Sequence, residues 1–165
     1  MMKTIDRIVE FLLTLLVPVV LIIGSIRLLL TPIYIQTEYR LPHFPDDTYG
    51  LTTGERLQWA EYSRKYLINN SGIEYLGDLR FADGEPLFNE RELRHMQDVK
   101  VVLKGFLTAF WISLGLSILI LIWTWRRGTW FRFKSGVSRG GWLTIILLAS
   151  LLMFALLDFN SFFVL

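Results

Sequence analysis

Three long apolar segments constrain the fold of this chain more than any other feature. They cover residues 9–32, 101–125 and 140–157, and each is close to the roughly 20 residues that a helix needs to cross a hydrocarbon core. The whole chain is 53% hydrophobic, with a mean hydropathy of +0.43, which is too apolar for an ordinary soluble domain. The sequence therefore predicts an all-α membrane protein with three transmembrane helices.

The first apolar segment contains a charged residue. Residues 11–26 carry no charge, and apolar residues resume after Arg27, so a helix of spanning length includes this arginine. Pro18 can be accommodated as a kink in a membrane helix. A cleaved signal peptide is the alternative, because Lys3 and Arg7 precede the apolar residues. The lack of a small-x-small cleavage site favours an uncleaved anchor.

A polar segment, residues 33–100, separates the first two spans and is predicted to form a small α+β cap. Thr52 and Glu55 match a capping box that opens a helix ending near Asn69. Residues 79–88 are interpreted as a β-hairpin around Asp83 and Gly84. The helix carries an aromatic face that is expected to contact the membrane helices: Trp59, Tyr62 and Tyr66.

The distribution of charge predicts the orientation of the chain. Residues 126–139 contain five basic side chains and no acidic one, whereas the cap has eight basic and twelve acidic side chains. By the positive-inside rule, the 126–139 segment, interpreted as a loop, is cytoplasmic, and so are the N-terminal residues 1–8. The cap is then extracellular, and residues 158–165 emerge on the outer face.

The stretch directly before the second span holds the strongest candidate for chemistry. Asn89 and Glu92 match a capping box, and no proline interrupts residues 90–125, so one long helix is predicted. On that helix His95 lies three residues from both Glu92 and Asp98, which places the imidazole on one face with two carboxylates. The alternative interpretation is that His95 is a solvated surface residue paired with Asp98.

Four ionisable residues from three helices are predicted to lie at one depth, near the outer boundary of the membrane. They are Arg27, His95, Lys104 and Asp158. Ionisable residues inside membrane segments are functional candidates by default. Arg27 and Lys104 can alternatively extend to lipid head groups, and Asp158 can simply cap the third span.

Thiol and metal chemistry are not predicted. The chain has no cysteine and only two histidines, which excludes thiolate nucleophiles and argues against an imidazole-rich metal site. Glu92-x-x-His95 matches half of a carboxylate di-iron motif, but the second Glu-x-x-His is absent from the sequence. Neither a cofactor nor a nucleic-acid partner is predicted.

Three sequence motifs, taken together and in this order, point to a known family. They are Arg-Leu-Leu-Leu-Thr-Pro at 27–32, Phe-Pro-Asp-Asp-Thr-Tyr-Gly at 44–50 followed by Glu-Arg-Leu at 55–57, and Phe-Asn-Glu-Arg-Glu-Leu-Arg-His-Met-Gln-Asp-Val-Lys at 88–100. The chain resembles the lipoprotein intramolecular transacylase family of bacterial membrane proteins over essentially its whole length, and the last motif is the most specific. The resemblance implies four membrane helices and an extracellular cap. It also implies an enzyme that moves the sn-2 acyl chain of a diacylglyceryl-cysteine to the amino group of the same cysteine, giving a lyso-form lipoprotein.

The resemblance implies roles for single residues as well. Of the family's two catalytic histidines, the first falls on His95, and the second follows a stretch similar to residues 158–165, where this sequence ends. The chain is therefore expected to be an N-terminal part of a longer protein or a truncated member of the family. Because the substrate amine is the nucleophile, His95 would deprotonate it, and Asp98 or Glu92 would orient the ring. From their depth alone, and not from the resemblance, Arg27 or Lys104 is expected to stabilise the oxyanion or hold the lipid ester. The other expected substrate-binding residues are Tyr49 and Asp158.

The sequence is compatible with two classes of function, an enzyme and a non-catalytic membrane protein. As a transacylase, the protein takes a diacylated lipoprotein as its partner, in addition to membrane lipids. As a non-catalytic accessory or lipid-binding scaffold, it would not need His95, and partner binding would depend on the aromatic face of the cap. A transporter is disfavoured, because three spans lack paired broken helices and midplane charges. The sequence leaves the oligomeric state open.

Overall fold

The computed structural model describes residues 2–42, 44, 45, 47 and 50–157. Within these residues the structure is helical and contains no extended strand. The six helices, in chain order, are α1 (Met2–Leu29), α2 (Pro32–Glu38), α3 (Thr53–Ile68), α4 (Glu74–Gly77), α5 (Glu90–Arg126) and α6 (Trp130–Leu157).

Three of these helices are long and apolar enough to cross a membrane. They are the Thr4–Leu29 part of α1, the whole of α5 and the whole of α6. The prediction of a helical chain with three helices of spanning length and apolarity is therefore confirmed. Pro18 lies inside α1, and the helix continues through it, as tertiary packing permits in membrane helices.

The prediction of an α+β cap is wrong in the part of the cap that the structure describes. Residues 79–88 do reverse direction, since the backbone N–H of Phe81 donates to Glu85 (2.9 Å) and that of Leu87 donates to Leu79 (3.0 Å). Only an isolated antiparallel bridge between Arg80 and Pro86 results. Proline has no N–H to extend a ladder, and a lone two-stranded hairpin is marginally stable. The turn was predicted correctly, but it does not extend into strands.

The basic segment 126–139 is mostly helix rather than the predicted loop. Helix α5 ends at Arg126 with the N–H of Thr129 donating to Thr124 (2.9 Å) and that of Gly128 donating to Trp125 (3.1 Å). These two bonds form a Schellman motif, which requires a residue of positive φ, and Gly128 has φ of 67°. The reversal needs so few residues that α6 begins at Trp130 and carries most of the basic side chains.

The chain divides into two compact units. The span unit consists of Met1–Gly24 and Ala109–Leu165, and the cap unit consists of Ser25–Thr108.

In the span unit, α1 and α6 approach closely at two glycines. A Cβ atom added to Gly136 would lie 2.7 Å from the Cβ of Leu13, and one added to Gly140 would lie 2.5 Å from the Cβ of Val17. Spacing of small residues by four is the usual way for membrane helices to bring their backbones together. Close packing at this face leaves Leu13 fully buried.

In the cap unit, the aromatic face of α3 forms an internal core. Tyr66 is 1% exposed and Leu76 is 0% exposed, and the Tyr66 ring stacks on Tyr75 with centroids 6.4 Å apart. The rings of Trp59 and Tyr62 extend this cluster, with their centroids 5.8 Å apart. The predicted aromatic face therefore exists, and Tyr66 is buried inside the cap unit. The capping box that starts α3 is confirmed in full at Thr52 and Glu55.

Arg64 ties α3 to the end of α1 within the cap unit. Its guanidinium is buried and donates two hydrogen bonds to the Glu61 carboxylate, at 2.8 and 2.6 Å. Its Nη1 also donates to the carbonyl oxygen of Leu30 at 3.2 Å, one of the acceptors that a helix end leaves unsatisfied. The hydrogen bond from Arg64 holds the pKa of Glu61 below its usual range, although burial acts in the opposite direction.

Acid is therefore expected to weaken the cap through Glu61. A carboxyl group whose pKa is lower in the folded chain stabilises the fold above its unfolded value of about 4.3, and this contribution is lost as the pH falls through the folded value. Between neutral pH and about pH 3, the melting temperature of the wild type should fall further than that of Glu61→Gln. Glu85→Gln is the control, since Glu85 is exposed. Equal falls in the wild type and Glu61→Gln would contradict the prediction.

Candidate functional site

The first turn of α5 is fixed by a reciprocal pair of hydrogen bonds. The backbone N–H of Glu92 donates to the Asn89 side-chain oxygen at 3.0 Å, and the backbone N–H of Asn89 donates to the Glu92 carboxylate at 2.9 Å. This is a capping box, and it confirms the predicted helix start. It also means that the Glu92 carboxylate is already engaged by the backbone of its own helix.

His95 lies one turn further along α5, in a concave pocket. The pocket has a volume of about 550 Å³ and is lined by Phe88, Asn89, Arg91, Glu92, His95 and Met96. The imidazole is exposed. Within the described part of the chain it makes no hydrogen bond or ion pair, and neither Glu92 nor Asp98 is bonded to it. The ring is thus accessible to a ligand, and the orienting roles of the two carboxylates stay predictions.

A larger cleft adjoins the histidine pocket, and Phe88 lines both. The cleft has a volume of about 790 Å³, within the range of small-molecule sites. Its lining is mainly apolar and aromatic with a few charged groups: Tyr39, Asp47, Leu51, Glu55, Arg56, Trp59, Ala60, Ser63, Phe81, Ala82, Asp83, Leu87 and Phe88. Such a lining suits a ligand that has both an apolar part and a polar part. This cleft was not predicted from the sequence.

Arg56 holds one wall of the cleft in place. Its Nη1 donates to the Pro45 carbonyl at 2.9 Å, its Nε lies 3.7 Å from the Asp47 carboxylate, and its guanidinium lies 4.7 Å from the Phe44 ring centroid. These contacts attach the chain before α3 to the helix itself. The signal for this residue was present in the sequence, since Arg56 lies in one of the motifs that carry the family resemblance, but its role depends on tertiary contacts.

Removal of the Arg56 guanidinium is expected to loosen residues 44–51. Arg56→Met keeps the aliphatic stem but loses a charged hydrogen bond, worth about 1.5–3 kcal/mol, and the stacking on Phe44. Amide hydrogen exchange of this segment should become faster, while exchange of residues 130–157 should not change. Arg40→Met is the matched control, because Arg40 is exposed. Unchanged protection of residues 44–51 in Arg56→Met would show that other contacts hold the segment.

Two lysines of α5 are tied to the loop that follows α3. Lys104, predicted to bind substrate, donates to the side-chain oxygen of Asn70 at 3.2 Å. Lys100 is 6% exposed, donates to Asn69 at 3.0 Å and to the Ser71 carbonyl at 2.6 Å, and its ammonium lies over the Tyr66 ring. Lys100 was not predicted as a site residue, although a lysine next to an apolar run is a recognisable signal in the sequence.

The remaining predicted site residues are distributed as follows. Arg27 is exposed in the last turn of α1 and belongs to the cap unit, as do His95 and Lys104. Tyr49 and Asp158, both predicted to bind substrate, lie outside the residues that the structure describes. Three of the four ionisable residues expected at one depth are therefore in one compact unit, and their joint role is untested.

The family model described as "Lipoprotein intramolecular transacylase Lit" matches residues 11–165. An uncharacterized protein of Aquifex aeolicus (strain VF5) is 30% identical over 128 residues, which cover 72% of this chain and 59% of that relative. This chain thus spans about three fifths of the length of the curated relative that it matches. No solved structure matches the chain.

Proposed function

The chain belongs to the Lit family of lipoprotein intramolecular transacylases, whose model matches residues 11–165, and from this premise we propose that it moves one acyl chain within a diacylated lipoprotein. The sn-2 acyl group of the diacylglyceryl-cysteine passes to the α-amino group of the same cysteine. The single observation that carries the proposal is the position of His95, whose exposed imidazole opens into a pocket adjoining an amphipathic cleft.

The reaction needs positioning more than it needs a protein nucleophile. The amine and the ester belong to one substrate molecule, so holding them in contact gives an effective-molarity advantage of about 7–11 kcal/mol. A new C–N bond forms at the sn-2 carbonyl, and the ester C–O bond breaks. The cleft supports this role, because its rings can pack against the apolar part of the substrate while charged groups at its edge face the polar part.

His95 is the proton carrier in this proposal. An imidazole can take a proton from the attacking amine as the C–N bond forms and give it to the departing sn-2 oxygen. The substrate ammonium first loses one proton to water, and the second proton, which leaves the nitrogen as the amide forms, is the one that the sn-2 oxygen gains. Because the ring has no intramolecular partner within the described residues, either nitrogen is available to the substrate. Asp98, three residues further along the helix, is proposed to orient the imidazole once substrate is bound.

A cation near the reacting carbonyl is proposed to stabilise the developing oxyanion. Lys104 uses one of its N–H groups on Asn70 and, as an ammonium, has two more. Arg27 is the other candidate in the same unit. We further propose that the cap lies on the outer face of a bacterial membrane and that residues 126–139 lie in the cytoplasm, since the latter carry five basic and no acidic side chains.

A non-catalytic lipid-binding protein is the second candidate. The observation that favours it is the engagement of the Glu92 carboxylate by the helix cap, which leaves His95 without a bonded carboxylate in the described residues. This candidate predicts that lipid or lipoprotein binds in the cleft but that the acyl chain does not move.

The test is mass spectrometry of a diacylated lipoprotein that is co-expressed with this chain. The host lacks its own N-acylating enzymes, so any N-acyl group comes from the chain. Transfer of one acyl group to the N-terminal amine, with the total acyl mass unchanged, is the expected result. An unmodified amine, with the chain present in the membrane fraction, would contradict the transacylase proposal and favour the second candidate.

A further inference from the structure

A second polar pocket lies in the span unit. It has a volume of about 390 Å³ and is formed by side chains of α1 and α6: Arg7, Glu10, Phe11, Thr14, Arg132 and Arg139. The function proposed above does not use any of these residues. They come from opposite ends of the sequence and lie next to apolar segments on both helices.

The carboxylate of Glu10 is fully engaged at this site. Glu10 is 4% exposed and accepts from Arg132 Nη1 at 3.0 Å. Its other oxygen lies 3.0 Å from Arg139 Nη1 and accepts the hydroxyl of Ser135. Both carboxylate oxygens are therefore used, and Glu10 fixes two guanidinium groups at the edge of the pocket.

The pocket retains an excess of positive charge. Its lining contains three guanidinium groups and one carboxylate, so two positive charges are not compensated there. Arg139 is 67% exposed, and a guanidinium has five N–H donors, so donors remain after the bond to Glu10. Arg7 is exposed and has no hydrogen bond or ion pair with any residue that the structure describes. Asp6, which lies one turn before Glu10 on α1, does not line the pocket.

We propose that this pocket binds the phosphate of an anionic phospholipid. Arginine matches phosphate oxygens with pairs of parallel N–H bonds, and the three arginines surround one cavity. A lipid fits better than free phosphate because Phe11, 62% exposed, lines the same pocket, and Leu12 and Leu15 next to it are 44% and 47% exposed. The acyl chains of a lipid would cover these side chains.

Aromatic residues at the start of α6 support a position of the pocket at the depth of the lipid head groups. The Trp130 ring stacks on Phe133 with centroids 5.2 Å apart and meets Trp125 at 5.9 Å. The Lys134 ammonium lies 5.6 Å from the Trp130 ring. Tryptophan concentrates where head groups meet the hydrocarbon. The pocket and this aromatic cluster both lie in the span unit, near the N-terminal end of α6.

The experiment is native mass spectrometry of the full chain with phosphatidylglycerol and phosphatidylcholine at equal concentrations. Phosphatidylglycerol should be retained in preference. Arg7→Gln should reduce that preference about five-fold, the effect of one basic side chain near an anionic lipid. Glu10→Gln should increase it, because the substitution removes the only negative charge in the pocket lining. Arg126→Gln is the matched control, since it removes a cation of the same region that does not line the pocket.

A loss of phosphatidylglycerol preference in Arg7→Gln together with a gain in Glu10→Gln would indicate a ligand site. If the ion pair of Glu10 were purely structural, Glu10→Gln would not gain lipid. Equal losses in Arg7→Gln and Arg126→Gln would overturn the proposal in favour of diffuse attraction. Equal retention of the two lipids by the wild type would also overturn it. A further arm uses inorganic phosphate without lipid, and thermal stabilisation equal to that by phosphatidylglycerol would assign the pocket to free phosphate instead.

Discussion

Replacement of His95 by asparagine is expected to abolish acyl migration and to leave the protein folded. The imidazole is the proposed carrier of the proton between the amine and the departing oxygen, and general acid–base catalysis of this kind contributes about 10²- to 10⁴-fold. The side chain is exposed and has no partner in the described residues, so the loss of stability should stay within about 0.5 kcal/mol. The measurement is the N-acylated fraction of the lipoprotein at matched amounts of membrane-inserted chain.

The other histidine of the chain provides the control. The sequence has two histidines, and the family motif falls on His95 and not on His43. His43→Asn should therefore keep wild-type conversion. Wild-type conversion in His95→Asn would remove His95 from the mechanism, whatever the family membership. Loss of conversion in both variants, with both present in the membrane, would mean that the effect does not depend on the motif.

Local sequence signals predicted the features of the fold that depend on few residues. Hydropathy over 18 or more residues identified the three spans, because the bilayer requires that length of apolar helix. The capping boxes at Thr52 and at Asn89 predicted the starts of α3 and α5, because both partners of each box lie within four residues. The position of His95 near the start of α5 follows from the second of these.

The β-hairpin at residues 79–88 and the loop at residues 126–139 were both predicted from a local signal that does not determine the structure of the flanking residues. The Asp83-Gly84 pair does make a turn, with φ of 90° at Gly84, but a turn signal cannot say whether flanking residues find partner strands. Residues 126–139 lacked acidic side chains and were interpreted as a loop, yet arginine and lysine are good helix formers. A single glycine with positive φ at 128 was enough to complete the reversal.

The parts of both sites that the sequence could not predict depend on long-range contacts. The ion pair between Glu10 and Arg132 joins residues 122 positions apart, and Lys100 reaches Asn69 across 31 positions. No local motif around Glu10 or Lys100 indicates which distant residue its side chain contacts. The large cleft is likewise formed by segments between residues 39 and 88, and it depends on how α3 packs against both the chain before it and the 79–88 turn.

The interface between α1 and α6 gives the second large expected effect, the replacement of Gly140 by leucine. A Cβ at this position would lie 2.5 Å from Val17 Cβ and 3.2 Å from the Thr14 carbonyl oxygen. The first distance is shorter than real Cβ contacts, so the helices have to separate. Overpacking of this kind costs about 1–3 kcal/mol, and here it also removes close backbone packing that holds membrane helices together.

The adjacent glycine is the matched control for this substitution. A Cβ at Gly141 would have no heavy atom within 4 Å, and leucine is a better helix former than glycine by about 0.8–1 kcal/mol. Thermal unfolding in detergent should therefore show a lower melting temperature for Gly140→Leu and an equal or higher one for Gly141→Leu. Because the added Cβ would also lie 3.0 Å from Val17 Cγ1, Val17→Ala should restore a small part of the loss in Gly140→Leu, and Val17→Gly should restore more. Equal destabilisation at both glycines would contradict the close α1–α6 contact.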